Sequence, residues 1–244
     1  MSAFTALVRL DIKGILRDDV MLITIVMSII PIVIITMLGI FQDHLPGWAD
    51  WFPFLVAYTL VGGLSFAFMF GLLMVEERDN GVLDAMLVTS ISPNVFILTR
   101  TLLATVWMLI WPYITIVIMN STWQVLHLST LELFTVVAML ALLTPALALA
   151  MPVLGSDKVE ALAISKGINF IMMIPLALYF FDADAWYRPL FLVSPTAWTI
   201  ETFDALIAGD SIGYLWAAGG TGYALVLLIA SVVVFRRKVY KLGP

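Results

Sequence analysis

Apolar runs of about 20 residues alternate with short polar stretches along almost the whole chain. Six can be traced, over residues 20–41, 52–75, 95–119, 131–154, 161–181 and 212–235. At 1.5 Å per residue each is long enough to cross a hydrocarbon core of roughly 30 Å as a helix. The pattern predicts an all-α polytopic membrane protein of six spans in one transmembrane domain. Pro31, Pro112 and Pro175 fall inside the first, third and fifth runs. Lipid-embedded helices tolerate proline where neighbours satisfy the freed backbone groups, and Pro112 is expected to kink its span. Gly62, Gly63 and Gly71 in the second run are small enough to let another helix approach closely.

Two polar segments carry patterns of their own. Over residues 2–19, Phe4, Leu7, Val8, Ile12, Ile15 and Leu16 share one helical face, and Arg9, Lys13 and Arg17 lie away from it. Asp11 sits at the edge of the stripe. This spacing predicts an interfacial helix with its cations toward lipid headgroups. The apolar run that follows is too long for the core of a signal peptide. Residues 182–211 form the long connection before the last span and contain Trp186, Tyr187, Phe191 and Trp198, rings suited to the headgroup level. Ser194-Pro195-Thr196 is a helix start. Two short helices dipping into the membrane are expected there.

The longest polar interruption between two long runs is residues 76–94, EERDNGVLDAMLVTSISPN. Glu76, Glu77, Arg78 and Asp79 put three carboxylates and an arginine at the end of an apolar span. Asn80-Gly81 stops the helix, because glycine accepts backbone angles that other residues resist. Val82, Leu83, Met86 and Leu87 then share one face of a short helix, with Asp84 off that face. Ser92-Pro93 starts the next span. An apolar face on a helix outside the membrane calls for a soluble partner to cover it.

Composition supports this class. Hydrophobic residues make up 62% of the chain, charged residues only 12%, against about 25% charged in soluble domains. Eleven of the twelve Lys and Arg residues fall on the side that holds residues 76–94, the 155–160 loop and both termini; only Arg188 falls on the other. The positive-inside rule makes the first side the cytoplasm of a plasma or inner membrane. Chemistry is thinly represented. The chain has no cysteine, and its two histidines, His44 and His127, are scattered, so no metal site is expected. The thirteen methionines show no clustered spacing and read as adaptable packing.

The segment E-E-R-x-x-G-x-L-D-x-x-L-x-T-x-x-x-P between the second and third spans, behind an amphipathic N-terminal helix and within six spans, resembles the permease subunit of a type-2 ABC exporter. Glu76, Glu77, Arg78, Gly81, Leu83, Asp84, Leu87, Thr89 and Pro93 match the family's pattern, with Val82 in place of the usual Thr and Ser90 where Pro is common. The external Ser194-Pro195-Thr196-x-Trp198 is also similar to the family, and the V-L-D-A-x-x-V-T wording is closest to drug exporters of the fluoroquinolone type. The resemblance implies that residues 76–94, with Val82 and Met86 on the apolar face, couple the permease to a separate ATPase. It implies two copies of that ATPase, and a second permease copy or a homologue completing the pathway. The chain has no G-x-x-x-x-G-K-[ST], so ATP and magnesium would be bound by the ATPase chain and not here.

Beside that resemblance, the residues leave several readings open. Trp107, Trp111 and Tyr113 in the third span either line a path for a small amphiphilic substrate or pack against neighbouring helices. Asn169 and Met173 in the fifth span are further pathway candidates, while Lys166 can snorkel to the surface. An ion-coupled secondary transporter would need ionisable residues at mid-span, and five of the six runs have none. A membrane enzyme would need paired carboxylates or histidines at one interface, and those here are dispersed. No catalytic residue and no nucleic-acid partner is expected; membrane lipid is the surrounding partner.

Overall fold

The computed structural model describes residues 9, 13–14, 17, 19–44, 47–82, 93–124, 126–181 and 185–239. Among the described residues every regular element is helical: α1 (Asp19–Ile40), α2 (Phe52–Gly62), α3 (Ser65–Asp79), α4 (Pro93–Trp123), α5 (Thr130–Leu154), α6 (Lys158–Met173), α7 (Pro195–Ile207) and α8 (Ile212–Lys238). Short 3₁₀ helices at Ile174–Phe180 and Arg188–Val193 link α6 to α7. Among the described residues, five helical stretches are long and apolar enough to cross a membrane: Phe52–Asp79, Asn94–Trp123, Thr130–Leu154, Lys158–Phe180 and Ile212–Lys238. The interfacial helix expected over 2–19 lies almost wholly outside the described residues.

Several boundaries differ from the sequence expectation. The second span is interrupted at Gly63 and Leu64, where i→i−3 hydrogen bonds replace the α-helical ones between α2 and α3. It also runs four residues past the end of its apolar run, to Asp79. The third span reaches Trp123, whose indole Nε1 donates to the Ile35 carbonyl of α1 at 2.9 Å. The fifth changes character at Pro175: α6 ends at Met173 and the chain continues as a tighter 3₁₀ helix. That tightening deprives carbonyls of their usual i+4 donors. Thr196 of α7 supplies one replacement, donating to the Met172 carbonyl at 2.7 Å.

The centre of the bundle is α5. It is apolar on every side, and α3, α4, α7 and α8 all pack on it. Its start is fixed by a capping box in which Ser129 and Glu132 satisfy each other's backbone N–H groups. Lipid tails are as apolar as leucine, so close packing rather than escape from water holds such helices together. Gly71 of α3 shows the tolerance: a Cβ there would collide with Met151 and come within 2.8 Å of the Ala148 carbonyl. α7 likewise lies against α8 at Gly219 and Gly220, where added Cβ atoms would strike Trp198.

The outer face of α4 has the opposite character. Leu98, Leu102, Val106, Ile110 and Ile114 recur every four residues and are 41–58% exposed. A continuous apolar stripe of this length would be a liability in water and is at home against lipid. The buried face of the same helix carries Phe96, Arg100, Ala104, Met108 and Met119. Thr99, Thr101, Thr105 and Thr115 close their hydroxyls onto carbonyls one turn back, so they leave no donor facing hydrocarbon.

Candidate functional site

Glu76, Glu77 and Arg78 are consecutive on the last turn of α3, so their side chains leave the helix about 100° apart and reach three different neighbours. Glu76 meets Lys158 at the start of α6, Nζ to Oε2 2.6 Å. Glu77 pairs with Arg100 of α4. Arg100 is only 4% exposed and lies over the Phe96 ring, 5.3 Å from its centroid. A guanidinium so buried is tolerable because a carboxylate and an aromatic face both contact it.

Arg78 does something different. Its Nη1 donates to the carbonyls of Pro152 (2.7 Å) and Gly155 (2.8 Å), and its Nη2 to that of Ser156 (2.7 Å). The Pro152 carbonyl, in the last turn of α5, has no intrahelical donor, and the guanidinium fork serves it together with the carbonyls of Gly155 and Ser156 just beyond the helix. Asp79 accepts from Nε and Nη2 of Arg78 and holds the fork in place. The loop it grips is itself tightly bonded. Asp157 caps α6 by accepting from the Val159 and Glu160 amides, both at 2.8 Å, and the Ser156 amide donates to Glu160. One turn of α3 is thereby fastened to α4, to the end of α5 and to the start of α6.

Beyond that turn, Asn80 closes the helix and Gly81 adopts φ +70°, the left-handed region that glycine enters at little cost. Val82 is 38% exposed. Leu83, Asp84, Met86, Leu87 and Thr89 lie outside the described residues. Pro93 begins α4, as its place after Ser92 suggests. The sequence motif singled out Glu76, Glu77 and Arg78 but gave no partner within the chain. Lys158, Arg100 and the 152–156 carbonyls are the partners it missed. Lys158 and Arg100 were legible as cations on the same side, and nothing in their spacing tied them to α3.

The candidate pathway residues separate. Trp107 and Trp111 stack with ring centroids 6.2 Å apart and planes 8° from parallel, and Phe66 of α3 packs edge-on to both. The Trp107 Nε1 is buried without a hydrogen-bond acceptor among the described residues. Tyr113 and Met173 pack against the main core instead. Asn169 has its Oδ1 buried with no donor among the described residues.

At the other end of the bundle a second polar group ties α7 down. The Tyr179 hydroxyl donates to Asp204 Oδ1 at 2.7 Å, and Arg188 pairs with Glu201 at 2.9 Å. Glu201 and Asp204 are three residues apart and share a face of α7. Burial pushes the Asp204 carboxyl up to about 6, and the nearby Glu201 carboxylate adds to the rise. The Tyr179 hydrogen bond and the Arg188 charge oppose it.

No curated protein matches the chain. A family model does, described as fluoroquinolones export permease protein Rv2686c-like, and its match runs over residues 11–232. That match covers the apolar helices, the charged turn of α3 and the α7 segment alike, so the chain belongs to the Rv2686c-like family of fluoroquinolone export permeases.

Proposed function

We propose that the chain is the membrane subunit of an ATP-driven exporter for small amphiphilic molecules with a planar aromatic core. The observation that carries this reading is the anchoring of the α3 turn. Glu76, Glu77 and Arg78 bind the root of the 82–92 segment to α4, α5 and α6. A push on that segment from a soluble partner would therefore be delivered to three helices at once. The partner is an ATPase present in two copies, which binds ATP and magnesium. Two permease copies, or one and a homologue, form the pathway.

In this reading α1, a helix of 22 residues, is a sixth span, and both termini are cytoplasmic, in keeping with the distribution of cations. The charged turn of α3 then faces the cytoplasm and the Asp204 group faces outward. The substrate class is supported by the family to which the chain belongs and by the Trp107–Trp111 stack, a flat aromatic wall of the kind that suits a planar ring. Asn169 offers a polar contact within the span.

The test is transport into inside-out vesicles holding the permease and its co-expressed ATPase, followed with a fluorescent fluoroquinolone. ATP-dependent accumulation that persists after the proton gradient is collapsed is the expected result. Uptake that needs the gradient and ignores ATP would favour an ion-coupled transporter and end this proposal.

A further inference from the structure

We infer that the chain holds an acyl chain of a membrane phospholipid in a groove formed by α5, α6, α8 and the 188–195 segment. The groove has a volume of about 570 Å³, within the range of small-molecule sites. Leu147 of α5, Met172 of α6 and Leu227 of α8 line it, with Pro175 and Phe191 beside them. Its rim is apolar and open: Ile171, Ile174, Leu190 and Val193 are 51, 44, 64 and 78% exposed.

The chemistry of the lining selects the occupant. The hydroxyls at the groove belong to Tyr223 and Ser194. Tyr223 donates to the Val193 carbonyl at 2.8 Å. Ser194 is bonded to the Thr196 hydroxyl at 2.9 Å, which in turn serves the Met172 carbonyl. Both hydroxyl protons are already spent within the chain, so a polar ligand entering here would lose hydrogen bonds to water and find no side-chain donor in the lining to replace them. Hydrocarbon loses nothing. The concave walls also give a single tail contacts on several sides, which mobile neighbouring tails cannot supply.

The position of the groove agrees. Trp186 is 83% exposed in the turn just before the 188–193 helix, and Tyr187 packs edge-on to it. Exposed aromatic rings of this kind sit at the headgroup level. A phospholipid with its headgroup beside Trp186 lays its tail past Leu190 and Val193 into the groove. The inference does not depend on which face of the membrane this end occupies.

The experiment is native mass spectrometry of the purified chain titrated with dioleoyl phosphatidylcholine and then exchanged into lipid-free detergent. Wild type should retain at least one lipid per chain. Leu227→Trp, which fills the floor, and Ile171→Trp, which narrows the exposed rim, should each cut retention at least fivefold. Val159→Trp, at the opposite end of α6 and 79% exposed, should not change it. Loss of all lipid from wild type, or equal retention in the rim variant, overturns the proposal. So does efficient cross-linking of Ile174→Cys between copies in the membrane, a clean assay in a chain without cysteine, because a second copy would then cover the groove.

Discussion

Arg78→Ala should loosen the junction of α5 and α6 without unfolding the bundle. The substitution removes the donors to the Pro152, Gly155 and Ser156 carbonyls and leaves Asp79 without its partner. Hydrogen bonds from a charged donor contribute about 1.5–3 kcal/mol each. The Arg78 side chain is 24% exposed, so water replaces part of what is lost. A net local cost of about 2–4 kcal/mol is a reasonable figure for the three together, or roughly 30- to 700-fold in the local opening equilibrium. Hydrogen exchange read by mass spectrometry on peptides covering residues 152–162 reports that equilibrium, because the amides of Gly155, Ser156 and Ala161 are bonded within this junction. Exchange there should accelerate by such a factor while the amides of α8 keep their rates. Arg78→Lys keeps the charge but not the fork, so it should fall between wild type and alanine. Unchanged exchange over 152–162 in Arg78→Ala would refute the argument that the guanidinium clamps this junction.

Other consequences can be checked separately. In intact cells an impermeant maleimide should label Trp186→Cys, whose parent residue is exposed, and spare Asn80→Cys; the reverse pattern would invert the proposed topology. Asp204 is raised from 3.8 to about 6, so its folded form prefers the proton. Its contribution is fully present below about pH 4 and is lost as pH rises through 6, by up to about 3 kcal/mol. The melting temperature of wild type should therefore fall between pH 4.5 and 7.5 by more than that of Asp204→Asn, and parallel profiles would sink the assignment. Trp111→Ala opens the stack beside Phe66, and it should weaken binding of a planar fluoroquinolone severalfold while sparing a non-aromatic amphiphile in an equilibrium binding assay.

Five of the six expected spans were readable because a bilayer sets one length scale, and an apolar run of that length has few other uses. The end of α3 was readable too, since Asn80-Gly81 is a local signal that does not depend on the rest of the fold. The break between α2 and α3 was less so: Gly62 and Gly63 were expected to serve close packing, and at Gly63–Leu64 the α-helical hydrogen bonding is also interrupted by i→i−3 bonds. The 3₁₀ continuation after α6 had its cue in Pro175, but Thr196, which takes up the Met172 carbonyl, lies 24 residues away. The charged turn shows the limit most clearly. Glu77 finds Arg100 at a separation of 23 residues, and Glu76 finds Lys158 at 82. Such pairs are created by helix packing, and no local periodicity encodes them. A loop full of charge therefore reads the same whether its partners lie in another chain or, as for Glu76, Glu77 and Arg78, in its own.

In the proposed mechanism residues 82–92 carry force from an ATPase into the bundle. Leu83→Ala combined with Leu87→Ala removes the larger part of the apolar face expected on that segment, at roughly 2–5 kcal/mol per site where the partner covers it fully. The permease variant and its ATPase should be reconstituted in liposomes, with hydrolysis and fluoroquinolone transport measured on the same sample. The complex should still assemble, and transport per ATP hydrolysed should fall at least tenfold. Wild-type rates of both hydrolysis and transport in the double variant would contradict it.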